Sequence, residues 1–229
     1  MKKYITLEEF KQFIVNTRNS NYTKFNFNKE FKINYMKPRK EFVKHDVIFR
    51  NCLLISFKSF YKENILRIKE LLKTTNEEYL ILDLRNNAGG DLESCIDLAK
   101  MFIGDKEIAT LKYLDNIKVF KGSKPEVSFK KIFVFLNDVS ASCSEILSLT
   151  LKENLPNVFL IGNNTFGKNV GTTNYINRKY KFIFSIVSYE WFVNNKNTTD
   201  LNELLKSEFK DKLKTNNDYL SYVLKKLDI

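Results

Sequence analysis

Histidine is almost missing from this chain: His45 is the only one in 229 residues. Serine chemistry that relies on a histidine base therefore has a single candidate, and it lies in "VKHDV", among charged residues at the front of a predicted strand. Seven glycines and three prolines leave little room for long flexible linkers. Cysteine is scarce and odd in number. Cys52, Cys95 and Cys143 lack CxxC spacing and sit in apolar or helical contexts, so they read as reduced thiols and not as a disulfide framework or zinc site. No segment approaches the roughly 20 apolar residues of a membrane span. The start, "MKKYITLEEFKQFIVNTRNS", has two lysines but no uninterrupted apolar region, because Glu8, Glu9 and Lys11 break it. A cytoplasmic protein without stable membrane insertion is the expectation.

Hydrophobic residues make up 43% and aromatic ones 14%, which excludes a disordered tail and suits one core with appendages. The formal net charge is +11, but lysine is spread along the chain without a nucleic-acid-binding signature. Nucleic acid is therefore not an expected partner, whereas acidic partners or surfaces would be attracted.

Two regions are expected: residues 1–45, an N-terminal helix and irregular arm, and residues 46–229, a core domain with C-terminal helices. Thr6 and Glu9 form a capping box ahead of Leu7, Phe10, Phe13 and Ile14 at helical spacing. Asn19 to Lys44 reads as an irregular aromatic arm. His45 to Phe60 reads as two strands or one bent strand, Glu63 to Thr74 as a helix, and "YLILDLR" from Tyr79 as a buried strand. "NNAGG" is a loop before a helix over Asp91 to Ile103. A strand follows at Ile132 to Leu136, then a helix to about Asn154 and a strand at Asn157 to Gly162. A hairpin turns at Asn177 to Lys179, and the chain is helical from Leu201 onward. This alternation implies a layered α/β fold.

"NDVSASCSEIL", from Asn137 to Leu147, places serines and a cysteine between a strand and a helix. Such residues cap helices; they also attack carbonyl groups. If Ser142 is a nucleophile it needs a base, and lysine is the alternative to histidine. Lys168, in "LIGNNTFGKNVGT", follows a buried strand and Phe166, with glycines that permit tight turns. It is either such a base or an ordinary loop lysine. "LRNNAGGDL" either presents N–H groups to an oxyanion or makes a plain strand-to-helix turn.

Together, "ILDLRNNAGGDLESCIDLAKMFI", "VFLNDVSASCSEIL" and "LIGNNTFGK" make the chain resemble the carboxyl-terminal processing, or tail-specific, serine peptidases, over roughly Val47 to Ser188. The resemblance implies a ClpP/crotonase-like core of spiral ββα layers. It also implies Ser142 as nucleophile, Lys168 as general base, and an oxyanion hole of N–H groups from Gly89, with Gly90 beside it, and Cys143. Glu145, three residues after the serine, either orients the site or interacts with the helix dipole. Ser140 and Ser144 are capping and packing residues, and the Cys143 side chain is expected to point away. No cofactor or metal is implied.

The chain departs from the family pattern at Ala88 (usually proline), Asn169 (usually glycine) and Thr172 (often glutamine), so the third catalytic member is Glu145, Thr172 or absent. No PDZ-like segment is recognisable, so a preference for C-terminal tails is not implied. The leading expectation is a serine endopeptidase working through an acyl-enzyme on a peptide or unfolded protein, with a dedicated precursor peptide as the narrower reading and a homo-oligomer left open. The alternatives are a non-catalytic peptide-binding relative and a fold relative acting on acyl thioesters.

Overall fold

The computed structural model describes residues 24–27, 43–49, 51–177, 182–208 and 213–227. The expected N-terminal helix lies outside them. So does the turn between the last two strands.

One five-stranded sheet is mainly parallel. It contains β2 (Lys44–Ile48), β3 (Cys52–Ser56), β4 (Tyr79–Asp83), β7 (Lys131–Leu136) and β8 (Val158–Gly162), adjacent in that order. Only β2 runs antiparallel to its neighbour, through a hairpin in which Phe49 takes φ 52°. Helices α1 (Lys62–Thr74), α2 (Leu92–Lys100) and α3 (Cys143–Asn154) lie between the parallel strands in sequence, the crossovers such a sheet needs.

The strands are apolar on both sides because both faces are covered. Leu80, Leu82, Ile132, Val134 and Leu160 join Ile65, Ile68, Ile96, Ile146 and Leu147 in the larger core cluster. The alternate residues Ile81, Phe133, Phe135 and Ile161 meet Tyr219 and Val223 on the opposite face.

The second sheet is antiparallel: β1 (Lys24–Phe27), β10 (Phe182–Phe192), β5 (Glu107–Lys112) and β6 (Ile117–Lys121), with β9 (Val170–Asn177) also paired to β10. Three of these strands depart from expectation. The arm expected to be irregular contributes β1, which pairs Lys24 with Ser185 and Phe27 with Phe182. Between α2 and β7, where periodicity indicates no element, the chain forms the β5–β6 hairpin. Glu107–Lys112 is short and mixed in polarity, and its pairing of Leu111 with Trp191 depends on residues far away in sequence.

The expected helical C-terminus is two helices, α4 (Thr198–Glu208) and α5 (Asn216–Leu227). Asp218 Oδ2 accepts the N–H groups of Lys214 and Thr215, which begins α5 as a separate helix. Among the described residues no helix is long and apolar enough to cross a membrane.

Candidate active site

Three loops leave the carboxyl ends of adjacent parallel strands: after β4 (84–91), after β7 (137–142) and after β8 (163–169). In open α/β sheets this end collects functional loops. Side-chain amides join the first two loops, since Asn86 N–H donates to Asn137 Oδ1 at 2.9 Å and Asn137 Nδ2 to Asn86 Oδ1 at 3.0 Å.

Ser142 stands at the sharp turn from β7 into α3. Its backbone takes φ 55° and ψ −113°, a conformation that side chains other than glycine rarely adopt. A strained strand-to-helix turn pushes a serine out of its loop, and Ser142 is half-exposed while Ala141 and Cys143 on either side are buried. The strain persists because the surroundings hold it. Ala141 N–H and Ser144 Oγ both donate to Asn87 O, at 3.1 and 2.8 Å. Ser140 Oγ donates to Leu84 O at 2.8 Å. Ser140 and Ser144 thus tie the loop down, in keeping with the packing role expected of them.

Gly89, with φ 97°, comes up against this turn so closely that a Cβ there would lie 2.9 Å from Ser142 Cβ and 3.1 Å from Cys143 N. Only glycine fits. At Gly90 a Cβ would meet Phe60 N at 2.7 Å. The Gly-Gly loop is therefore brought against Ser142 and Cys143 as the motifs imply. One detail differs: the Gly89 N–H donates to Asn87 Oδ1 at 2.9 Å, so it already has an acceptor. The N–H groups of Gly90 and Cys143 donate to no acceptor among the described residues. The Cys143 thiol is turned inward, 1% exposed, toward the carbonyls of Gly90 and Asp91. All three cysteines are free and buried.

Glu145 is fully buried in the first turn of α3. Its Oε2 accepts from Ser142 N–H at 2.6 Å and from Lys168 N–H at 3.1 Å. Its Oε1 accepts from Thr165 Oγ1 at 2.6 Å and from Gly167 N–H at 2.8 Å. Burial pushes this carboxyl above its ordinary value, and the bonds from Thr165, Gly167, Ser142 and Lys168 pull the other way. A single side chain thus fastens the backbones of Ser142 and Lys168 to one point.

Lys168 is half-buried and engaged with its surroundings. Its carbonyl accepts from Trp191 Nε1 at 2.9 Å, and the next carbonyl, of Asn169, accepts from Trp191 N–H at 3.0 Å. The chain's one tryptophan, fully buried, clamps the peptide that carries the lysine. Thr172 sits in β9 opposite Val187, and its hydroxyl has no hydrogen bond among the described residues. His45 lies exposed on edge strand β2, paired with Ile55, as its charged context implies.

Asn87, Thr165 and Trp191 were not singled out in the sequence. Asn87 offered a faint signal as one of two adjacent asparagines before the glycine pair; it is fully buried and also donates through Nδ2 to Phe57 O at 3.0 Å.

The model of peptidase family S41 matches residues 51–203, more than half of the chain. The tail-specific protease of Haemophilus influenzae is 32% identical over 142 residues, which is 60% of this chain and 20% of that protein. The carboxy-terminal processing protease CtpA of Bacillus subtilis is 42% identical over 90 residues, 38% of this chain and 19% of that one. The chain thus spans about a fifth of the length of these relatives. Among solved structures, a Streptococcus agalactiae lipoprotein superposes with TM-score 0.66 at 16% identity, covering 91% of this chain and 85% of that one. The photosystem II D1 C-terminal processing protease gives TM-score 0.57 at 16% identity over 78% and 45%. These two likenesses concern the fold, whereas the matched motifs carry the loops just described. The chain belongs to peptidase family S41.

Proposed function

We propose that the chain is a serine endopeptidase that cleaves a peptide or unfolded protein substrate through a Ser142–Lys168 dyad. The observation that carries this reading is the shared anchor at Glu145: one buried carboxylate accepts the backbone N–H of both residues, and such positioning is what a nucleophile and its base require.

Lys168, as the neutral amine, takes the proton of the Ser142 hydroxyl. The oxygen attacks a peptide carbonyl carbon, and the negative charge develops on the carbonyl oxygen. The Cys143 N–H, together with that of Gly90 or of Gly89 released from Asn87, stabilises this charge. Collapse of the intermediate expels the amine, which receives the proton from Lys168 and leaves an acyl-enzyme on Ser142. Water, deprotonated by the same lysine, then hydrolyses the ester. Glu145 is a positioning residue, because it holds the two backbones and not the reacting atoms.

The test is cleavage of a diverse unfolded peptide mixture, read by mass spectrometry, for the wild type, Ser142→Ala and Lys168→Ala. Cuts made by the wild type and lost in both variants are expected. Cuts that persist in both would overturn the dyad.

A second reading, a peptide-binding relative that does not hydrolyse, is favoured by the Asn87 amide that occupies the Gly89 N–H. Peptide binding of equal strength in the wild type and Ser142→Ala, without product, would select it.

A further inference from the structure

Between Ser140 and Leu151 nearly every side chain is buried, yet just before each reactive residue one large apolar side chain faces solvent. Val139, three residues before Ser142, is 43% exposed; Phe166, two before Lys168, is 57% exposed. Their backbones are neighbours, because Phe166 N–H donates to Ser140 O, one residue after Val139, at 3.0 Å and so joins the lysine loop to the serine loop. Neither is needed to fill the core: Ser140 and Thr165 occupy the buried positions beside them. Large apolar side chains elsewhere on the surface, such as Leu114 and Ile117, sit at the β5–β6 hairpin. Exposed apolar surface next to a reactive group marks a binding position more often than chance exposure does.

We propose that Val139 and Phe166 form an apolar shelf that receives an aliphatic or aromatic side chain of the substrate residue adjoining the scissile bond, and so set the cleavage preference. This rests on the peptidase reading above. A side chain seated there would touch both loops, so its binding and the approach of Ser142 to the neighbouring carbonyl would be coupled. Apolar contacts of this size discriminate by about 10–100-fold in kcat/KM.

The experiment uses two peptide sets that differ only in having leucine or phenylalanine, or else serine or glutamine, next to the cut. Wild type, Phe166→Ala, Phe166→Leu, Val139→Ser and the distant control Leu114→Ala are compared, and a small fluorophosphonate reports Ser142 reactivity without a peptide side chain. The wild type is expected to favour the apolar set by about 10-fold or more. Phe166→Ala and Val139→Ser should lower that ratio, chiefly through KM. Phe166→Leu should restore most of it, and Leu114→Ala should leave it unchanged. Fluorophosphonate labelling that survives in Phe166→Ala would show that the loss arises in substrate contact and not in folding. Ser142-dependent cleavage with no apolar preference, or a preference unaltered in both shelf variants, overturns the shelf alone. No Ser142-dependent cleavage by the wild type overturns the peptidase reading and the shelf with it.

Discussion

The serine loop and the lysine loop are placed by different means. Residues 137–142 leave β7 and enter α3 within the parallel layer, held at Leu84 and Asn87 on the neighbouring strand end and loop, with Glu145 and the Phe166 N–H as the ties shared with the lysine loop. Residues 163–169 leave β8 of the parallel sheet and arrive in β9 of the antiparallel one, gripped by Glu145 from one layer and Trp191 from the other. Ser142 is thus fixed mainly by its own strand–helix turn. Lys168 is fixed where two sheets agree, so changes in the antiparallel sheet should reach Lys168 while sparing the turn at Ser142.

Glu145→Ala should have the largest effect, because it releases both loops at once. It leaves the Ser142, Gly167 and Lys168 N–H groups without their acceptor, whereas the Thr165 hydroxyl can turn to Asn202 Oδ1 at 3.0 Å. Buried unsatisfied donors cost about 1–3 kcal/mol each, so a loss of about 3–5 kcal/mol after relaxation is expected in urea unfolding, with peptide cleavage reduced by 100-fold or more. Full activity in a destabilised variant would show that the carboxylate serves stability alone.

The same residue gives a pH signature. Its carboxyl lies above the ordinary value of 4.5 in the folded chain. Its contribution to stability is therefore fully present below about pH 4.5 and is lost as pH rises through the raised folded value, because the unfolded chain gives up this proton first. The stability of the wild type relative to Glu145→Gln should accordingly decline with rising pH across that window. A flat difference would mean that the site does not resist ionisation.

Asn87→Ala separates the serine side. It removes the acceptor of the Gly89 N–H and the donor to Phe57 O, both buried, and should cost about 2–3 kcal/mol. Trp191→Phe addresses the lysine side. It removes the Nε1–H bond to Lys168 O and should cost about 1–2 kcal/mol, with kcat and the rate of fluorophosphonate labelling falling together by about tenfold, because both reactions need Lys168 to take the Ser142 proton. Labelling at the wild-type rate in Trp191→Phe would show that the tryptophan does not act on the lysine.

The parallel layer was legible in the sequence because its signals are local. "YLILD" and "KIFVFL" are continuous apolar runs, α1 and α2 show helical spacing, and the three motif segments lie at successive strand ends. The candidate residues Ser142, Lys168, Glu145, Gly89, Gly90 and Cys143 fall on those segments, and the structure gathers their loops at one end of the sheet. The antiparallel layer was less legible. β5 and β1 are strands because β10 pairs with them, across tens to more than a hundred residues of sequence. For the same reason Trp191 could not be connected with Lys168, since nothing near either residue names the other. Asn87 was missed because a buried asparagine and a turn asparagine look alike until the acceptors are known.

The smallest expected effect is also the cleanest contrast between the loops. Ser142 carries a positive φ, whereas Lys168 is not among the residues that do. A non-glycine residue in such a conformation costs about 1–3 kcal/mol, and glycine removes that cost while adding about 0.4–1 kcal/mol of unfolded-chain entropy. Ser142→Gly should therefore be more stable than Ser142→Ala by about 1 kcal/mol, even though both variants lack the hydroxyl. Lys168→Gly should instead be less stable than Lys168→Ala by about 0.5–1 kcal/mol. Opposite signs in denaturant unfolding would place the stored strain at Ser142 and not at Lys168; equal signs would show that the turn at Ser142 relaxes once its hydroxyl is gone.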